Sequence, residues 1–185
     1  MFLSWRIARA VKTLTQGGII AYPTESVYGL GCDPFNQTAV MRLLQIKQRS
    51  VEQGLILIAA DWQSIKDLIH MPLMPAVEQR LRASWPGPTT WVLPASAKVP
   101  TWIRGQHDTV AIRLTAHPLA ALVCQHWHQA LVSTSANRSG QVPAKTTRQC
   151  KMLFGDQVKV IAGRVGKRRK PSTIQDLATG KIIRP

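Results

Sequence analysis

An α/β domain on a twisted open sheet of mixed strand direction is the fold class this sequence predicts, and three observations carry it. Short apolar runs alternate with amphipathic segments along the 185 residues, the pattern of strands packed against helices. The unbroken run Leu55-Ile56-Leu57-Ile58-Ala59 belongs to a strand covered on both faces, so helices are expected on both sides of the sheet. Near the C-terminus, Thr179-Gly180 separates two short strand-like segments, 172–176 and 181–184, at a spacing that calls for antiparallel pairing.

Taken in order, Ser4 is expected to cap a helix over 5–16, with Ile7, Ala8, Val11 and Leu14 on one face and Gly17-Gly18 as its stop. A strand at 19–22 runs into the polar loop Pro23-Thr24-Glu25-Ser26 and the glycines Gly29 and Gly31. Asn36 suits the cap of the next helix, whose apolar residues Ala39, Val40, Leu43, Leu44 and Ile46 deliver Lys47 and Arg49 to its end. Beyond the strand at 55–59, residues 61–70 and 75–84 read as helices. The turn Trp85-Pro86-Gly87-Pro88 then leads into a strand at 89–93. A strand at 110–114 follows, then a helix opened by His117-Pro118, a strand at 130–132, a helix at 147–154 and strands near 158–161, 172–176 and 181–184.

A chain of this length supports one domain, here 1–185. It shows no repeat, low-complexity tract, export signal or membrane-length apolar run, so a soluble, unexported protein is expected. Cys32, Cys124 and Cys150, without any Cys-x-x-Cys pair, read as reduced buried thiols of a cytoplasmic protein. The net charge of +15 implies an anionic partner. Of that charge, 11 basic against 2 acidic residues lie in 141–185, and the peak is Lys167-Arg168-Arg169-Lys170. That run suits a phosphate backbone, or serves only as a solvated surface.

The segment most telling about function is Ser133-Thr134-Ser135-Ala136-Asn137-Arg138-Ser139-Gly140, directly behind the apolar run Ala130-Leu131-Val132. Its hydroxyls and amide can present donors and acceptors to a small ligand beyond a strand end, or satisfy their own turn. Thr24 and Ser26 follow the first strand in the same way, so the two loops are placed to frame one pocket at a sheet edge. Lys47 and Arg49 pair a point charge with a planar fork for phosphate or carboxylate oxygens, or complement a helix C-terminus. Arg113 interrupts an apolar strand, and it either calls for an anion to offset its desolvation or lies on the strand's solvent face. Glu25 is read either as a magnesium ligand or as a cap of its own loop. No zinc-type histidine spacing, Walker-type phosphate loop or catalytic triad order is present, and no protein side chains are singled out as metal ligands.

Five segments in register, residues 23–31, 47–49, 85–88, 111–113 and 133–140, together resemble the YrdC/TsaC family of threonylcarbamoyl-AMP synthases, and Pro171-Ser172-Thr173-Ile174 and Ile183-Arg184 look like that family's final strands. The resemblance implies a YrdC-like domain around a large basic cavity. It implies formation of L-threonylcarbamoyladenylate and pyrophosphate from L-threonine, bicarbonate and ATP with Mg2+, for tRNA threonylcarbamoyladenosine modification. Lys47 and Arg49 would be the catalytic residues and, with Ser135 and Asn137, would face ATP, and Thr24, Arg113 and Ser133 would face threonine or its carbamate. Ser26, Ser172 and Arg184 join the substrate-binding set. Separate tRNA-modification proteins would receive the adenylate, since the chain resembles the short bacterial form. Gly54-Leu55 stands where many members carry Pro-Leu, which predicts a more mobile loop over 49–54. The alternative is an RNA-binding or ribosome-maturation module using the same basic cavity without catalysis. A transferase acting on another small amine or acid is a third reading.

Overall fold

The computed structural model describes residues 2–185. The elements are α1 (Phe2–Thr15), β1 (Ile20–Pro23), β2 (Tyr28–Gly31), α2 (Gln37–Lys47), β3 (Ile56–Ala59), α3 (Pro75–Ser84), β4 (Thr89–Pro94), α4 (Thr101–Arg104) and β5 (Thr109–Leu114). After them come α5 (Pro118–Trp127), β6 (Leu131–Ser135), α6 (Thr147–Phe154), β7 (Lys159–Val160), β8 (Thr173–Asp176) and β9 (Ile182–Arg184). The nine strands form one sheet in the order β7-β1-β2-β6-β3-β5-β4-β8-β9. Pairs β1/β7, β3/β5 and β4/β8 are parallel; β1/β2, β2/β6, β3/β6, β4/β5 and β8/β9 are antiparallel. The mixed sheet and the terminal hairpin therefore match the expectation.

Alternation along the strands sends side chains to two layers, because successive residues of a strand point to opposite faces. Leu57, Ala59 and Val132 join one buried cluster with Ala39, Val40, Leu43 and Leu44 of α2 and Cys150 and Phe154 of α6. Ile20, Tyr22, Ile58 and Leu131 join a second with Ile7, Ala10 and Leu14 of α1 and Ala120, Val123 and Cys124 of α5. Helices thus cover both faces. On the second face, however, the same rows continue into Ile56, Ala111 and Val92, which are only half-buried. They are aligned in register as Ser133–Ile56–Ala111–Val92–Asp176 across β6, β3, β5, β4 and β8. This uncovered half of the sheet is where the site lies.

Local chemistry explains most boundaries. Asn36 caps α2 by accepting from Ala39 N at 3.0 Å, and Thr146 caps α6 in a reciprocal box with Gln149. His117 caps α5, with Pro118 at its first position. Three expectations are corrected. Ser4 lies inside α1 rather than at its cap, because the helix extends back to Phe2. No α-helix forms over 61–70: Asp61 Oδ1 accepts from Ser64 N and Oγ at 2.9 and 2.8 Å, a local turn that competes with helical bonding, and only 66–68 close a tight 3-10 turn. Residues 28–31, read as part of a loop, form β2, because flanking strands β1 and β6 supply the hydrogen bonds that the Gly-rich segment's own propensity does not. The short helix α4 was not foreseen either. All three cysteines are buried and unpaired in disulfides. Among the described residues no helix is long and apolar enough to cross a membrane.

Candidate active site

A cavity of about 510 Å³ stands on the uncovered sheet face, and Thr24, Ser26, Arg49, Arg113, Ser133, Ser135, Ser172 and Arg184 all line it. Its floor is the cross-strand row of small and branched residues, so the two hydroxyl loops meet over the face of the sheet rather than beyond its edge. Strand β6 brings Ser133 and Ser135 to the same face two residues apart. Thr24 is placed by a tight turn in which its N and Oγ1 both donate to Val27 O, at 3.0 and 2.8 Å. Register then sets Gly29 of β2 opposite Ser135. The far wall comes from the terminal hairpin: Thr90 Oγ1 and Arg184 Nη2 both reach Ser172 Oγ, at 2.8 and 3.3 Å, and Arg184 Nη2 also donates to Ser172 O at 2.9 Å.

The cavity is rich in guanidinium groups. Arg49, Arg104, Arg113 and Arg184 contribute four, and Asp176 is the one carboxylate residue among the described lining residues. Arg49 donates through Nη2 to Gly54 O at 2.9 Å, while its buried Nε has no hydrogen-bond partner. Burial holds the Arg49 guanidinium below its ordinary range, and burial together with the charges of Arg113 and Arg49 does the same for Arg184. A buried donor left without an acceptor costs about 1–3 kcal/mol, so an incoming anion would recover it. Gly54 holds φ +65° and ψ 168°, a conformation no proline can adopt, which gives the departure from Pro-Leu a backbone consequence.

Lys47 and Asn137 stand behind this wall. The Lys47 ammonium donates to Ser135 O at 2.6 Å, Asn137 O at 2.9 Å and Asn137 Oδ1 at 3.3 Å. Asn137 Nδ2 donates to Arg138 O and Gln141 O at 2.7 and 2.8 Å, and Ser135 Oγ donates to Asn137 Oδ1 at 2.6 Å. The amide of Asn137 thus satisfies its own loop, as turn chemistry does, while Lys47 binds that loop to the end of α2. Burial, then the charge of Arg49, pulls the Lys47 ammonium down to about 8.

Arg113 has the anion its strand position called for: Glu25, 88 residues away in sequence, accepts from Nη1 at 2.9 Å. The Glu25 carboxylate thus reaches beyond its own loop, to Arg113 in β5 and to Thr115 and Ala116 just after it. Burial would raise the Glu25 carboxyl, but the Arg113 charge, the residue's own backbone N–H and hydrogen bonds from Thr115 and Ala116 hold it below the ordinary carboxylate range. The Gly-rich segment before the basic run lies along this loop: Gly166 N donates to Thr24 O at 2.9 Å and Arg168 N to Glu25 O at 3.0 Å. Only glycine fits at 166, where a Cβ would stand 2.6 Å from Glu25 O. Residues 167–170 are exposed. Arg104 and His107, which also line the cavity, were missed; they sit at α4 and the turn after it, where no periodicity or motif marks them.

Comparison with known proteins adds a second line of information. A family model, Sua5/YciO/YrdC, described as telomere recombination, matches residues 12–185. A protein of Methylobacillus flagellatus named threonylcarbamoyl-AMP synthase is 55% identical over 179 residues, covering 96% of this chain and 99% of that one. One of Coxiella burnetii with the same name is 50% identical, covering 95% and 94%. Among solved structures, P. abyssi Sua5 complexed with L-threonine superposes with a TM-score of 0.85 at 31% identity. The match covers 94% of this chain, which spans only 51% of the length of that Sua5 chain.

Proposed function

The chain belongs to the Sua5/YciO/YrdC family, and from that membership and the cavity we propose that it is a threonylcarbamoyl-AMP synthase, taking L-threonine and ATP as substrates. The observation that carries the assignment of ends is Arg49, whose buried Nε lacks a partner on the wall of a cavity otherwise lined by hydroxyls and guanidinium groups. Bicarbonate supplies the carbamate carbon: the threonine amine bonds to it with loss of water. A carbamate oxygen then bonds to the α-phosphorus of ATP as the bond to the β-phosphate oxygen breaks, releasing pyrophosphate.

Both reactants are anions, so the protein's task is to offset charge and align them. Arg49, Ser135 and Arg184 face the nucleotide. Thr24, Ser26, Arg113 and Ser133 face threonine or its carbamate. Lys47 acts as a positioning residue through the 135–137 loop, with Ser172 holding Arg184. Mg2+ suits a wall with one carboxylate, Asp176, because it takes most of its ligands from phosphate and water, and when bound it would neutralise charge on the leaving pyrophosphate.

A cytoplasmic setting, with separate proteins passing the threonylcarbamoyl group to tRNA, completes the proposal. Four exposed cations at 167–170 support an RNA contact in addition to catalysis. Pyrophosphate release measured with threonine and bicarbonate omitted in turn is the test. Turnover should require both, and threonine-independent turnover would overturn the assignment. Salt-sensitive RNA affinity that survives neutralisation of residues 167–170 would remove the RNA contact alone.

A further inference from the structure

The cations of the cavity are not equivalent. Glu25 Oε2 accepts from Arg113 Nη1 at 2.9 Å, and Oε1 accepts from Thr115 Oγ1 at 2.9 Å and Ala116 N at 3.1 Å. The Arg113 side chain is buried, 8% exposed, and that of Glu25 is largely covered, 14% exposed, so solvent screens the pair less than it would at the surface. Arg49 and Arg184 have no carboxylate partner among the described residues. One end of the cavity therefore carries uncompensated guanidinium charge, and the other carries a guanidinium already half neutralised.

We propose that Glu25 is a specificity-determining residue: by compensating Arg113 it lets that end of the cavity hold a single carboxylate and refuse a phosphate. A monoanion on the free edge of Arg113 meets one attraction and one more distant repulsion. Each further charge on the ligand adds a repulsion from Glu25 that a low-dielectric wall transmits strongly. The carboxylate cannot turn away to relieve it, because Thr115, Ala116 and Arg113 use both its oxygens. The two ends are thereby sorted by charge, and a triphosphate is prevented from entering backwards. The inference rests on threonine binding at Arg113.

Inorganic phosphate is the probe, with initial rates measured against each substrate. In the unaltered enzyme phosphate should compete with ATP and not with threonine; competition with threonine would overturn the proposal without any variant. In Glu25→Gln, which keeps the shape, phosphate should become competitive with threonine, with an inhibition constant about tenfold or more below the highest phosphate concentration that leaves the threonine KM of the unaltered enzyme unchanged. If Glu25→Gln only raises the threonine KM or lowers kcat, with phosphate behaving as before, Glu25 merely supports Arg113 structurally and the proposal fails. Arg113→Ala separates the two levels: if it leaves the threonine KM unchanged, the placement of threonine is wrong, whatever Glu25 does.

Discussion

Replacing Lys47 with methionine isolates what the buried ammonium does for the loop at 135–137. The change keeps the aliphatic stem and removes donors to two backbone carbonyls and one amide oxygen, at 2.6, 2.9 and 3.3 Å. A hydrogen bond from a charged group contributes about 1.5–3 kcal/mol, so the two shorter ones together stabilise by about 5 kcal/mol. Against this stands burial of the charge, visible in the fall from the ordinary 10.5 to about 8, a cost of about 3 kcal/mol. The net loss expected for Lys47→Met is about 2 kcal/mol of unfolding free energy. Arg49→Met is the contrast: it removes one bond to Gly54 O and one unpartnered Nε, so stability should change by under about 1 kcal/mol while the KM for ATP rises. Urea unfolding of the three proteins, with ATP kinetics alongside, makes the comparison. A Lys47→Met protein as stable as the parent would refute the view that the ammonium is held chiefly by the loop.

Three further outcomes follow from particular contacts. Arg113→Met should cost about 3–5 kcal/mol, since it strands the Glu25 carboxylate without its charge partner; adding Glu25→Gln should recover part of that loss in a urea double-mutant cycle. Gly54→Ala should destabilise by about 1–3 kcal/mol, because the φ of +65° with ψ of 168° is open essentially to glycine alone, and a thermal melt equal to the parent's would contradict the backbone geometry. Burial raises the thiols of Cys124 and Cys150 to about 12 and that of Cys32 further, so above pH 9 the unfolded chain loses protons that the folded one keeps, and stability falls as pH rises. Lys47 acts oppositely between about 8 and 10.5, since there the unfolded chain binds the extra proton. Three thiols, joined near pH 10 by the buried Tyr22 hydroxyl that burial also raises, outweigh one amine, so stability should fall by about 2 kcal/mol or more per pH unit, which urea unfolding between pH 9 and 10.5 should show and Cys124→Ala should make shallower.

Much of this architecture was legible because its signals are local. Asn36 and His117 announced their helices through capping chemistry, and the run 55–59 announced a central strand through its lack of polar breaks. The failures are where tertiary partners or competing local bonds decide. Tyr28-Gly29-Leu30-Gly31 has a poor strand propensity and becomes one because β1 and β6 bracket it. Asp61 and Ser64 look compatible with a helix until they bond to each other. The cavity's composition was readable from two hydroxyl loops and an arginine in an apolar strand, but its depth was not: which residues face the ligand and which stand behind depends on α2 delivering Lys47 under the loop and Arg49 beside it. The demand of Arg113 for an anion was also legible, whereas the identity of that anion required β5 and the 24–26 loop to be brought together.

The sheet order carries a consequence for the timing of biogenesis. Strand β7 lies at one edge of the sheet and β8 near the other, so residues 161–172 must cross the molecule before Ser172, Asp176 and Arg184 can close the cavity. During synthesis from the N-terminus, the strands β1 to β6 can pair and bury their apolar faces while the row Ile56–Ala111–Val92 is still open to solvent. The nascent protein acquires a folded scaffold before it acquires a nucleotide site. Competence to consume ATP therefore waits on the segment that carries Ser172, Asp176 and Arg184.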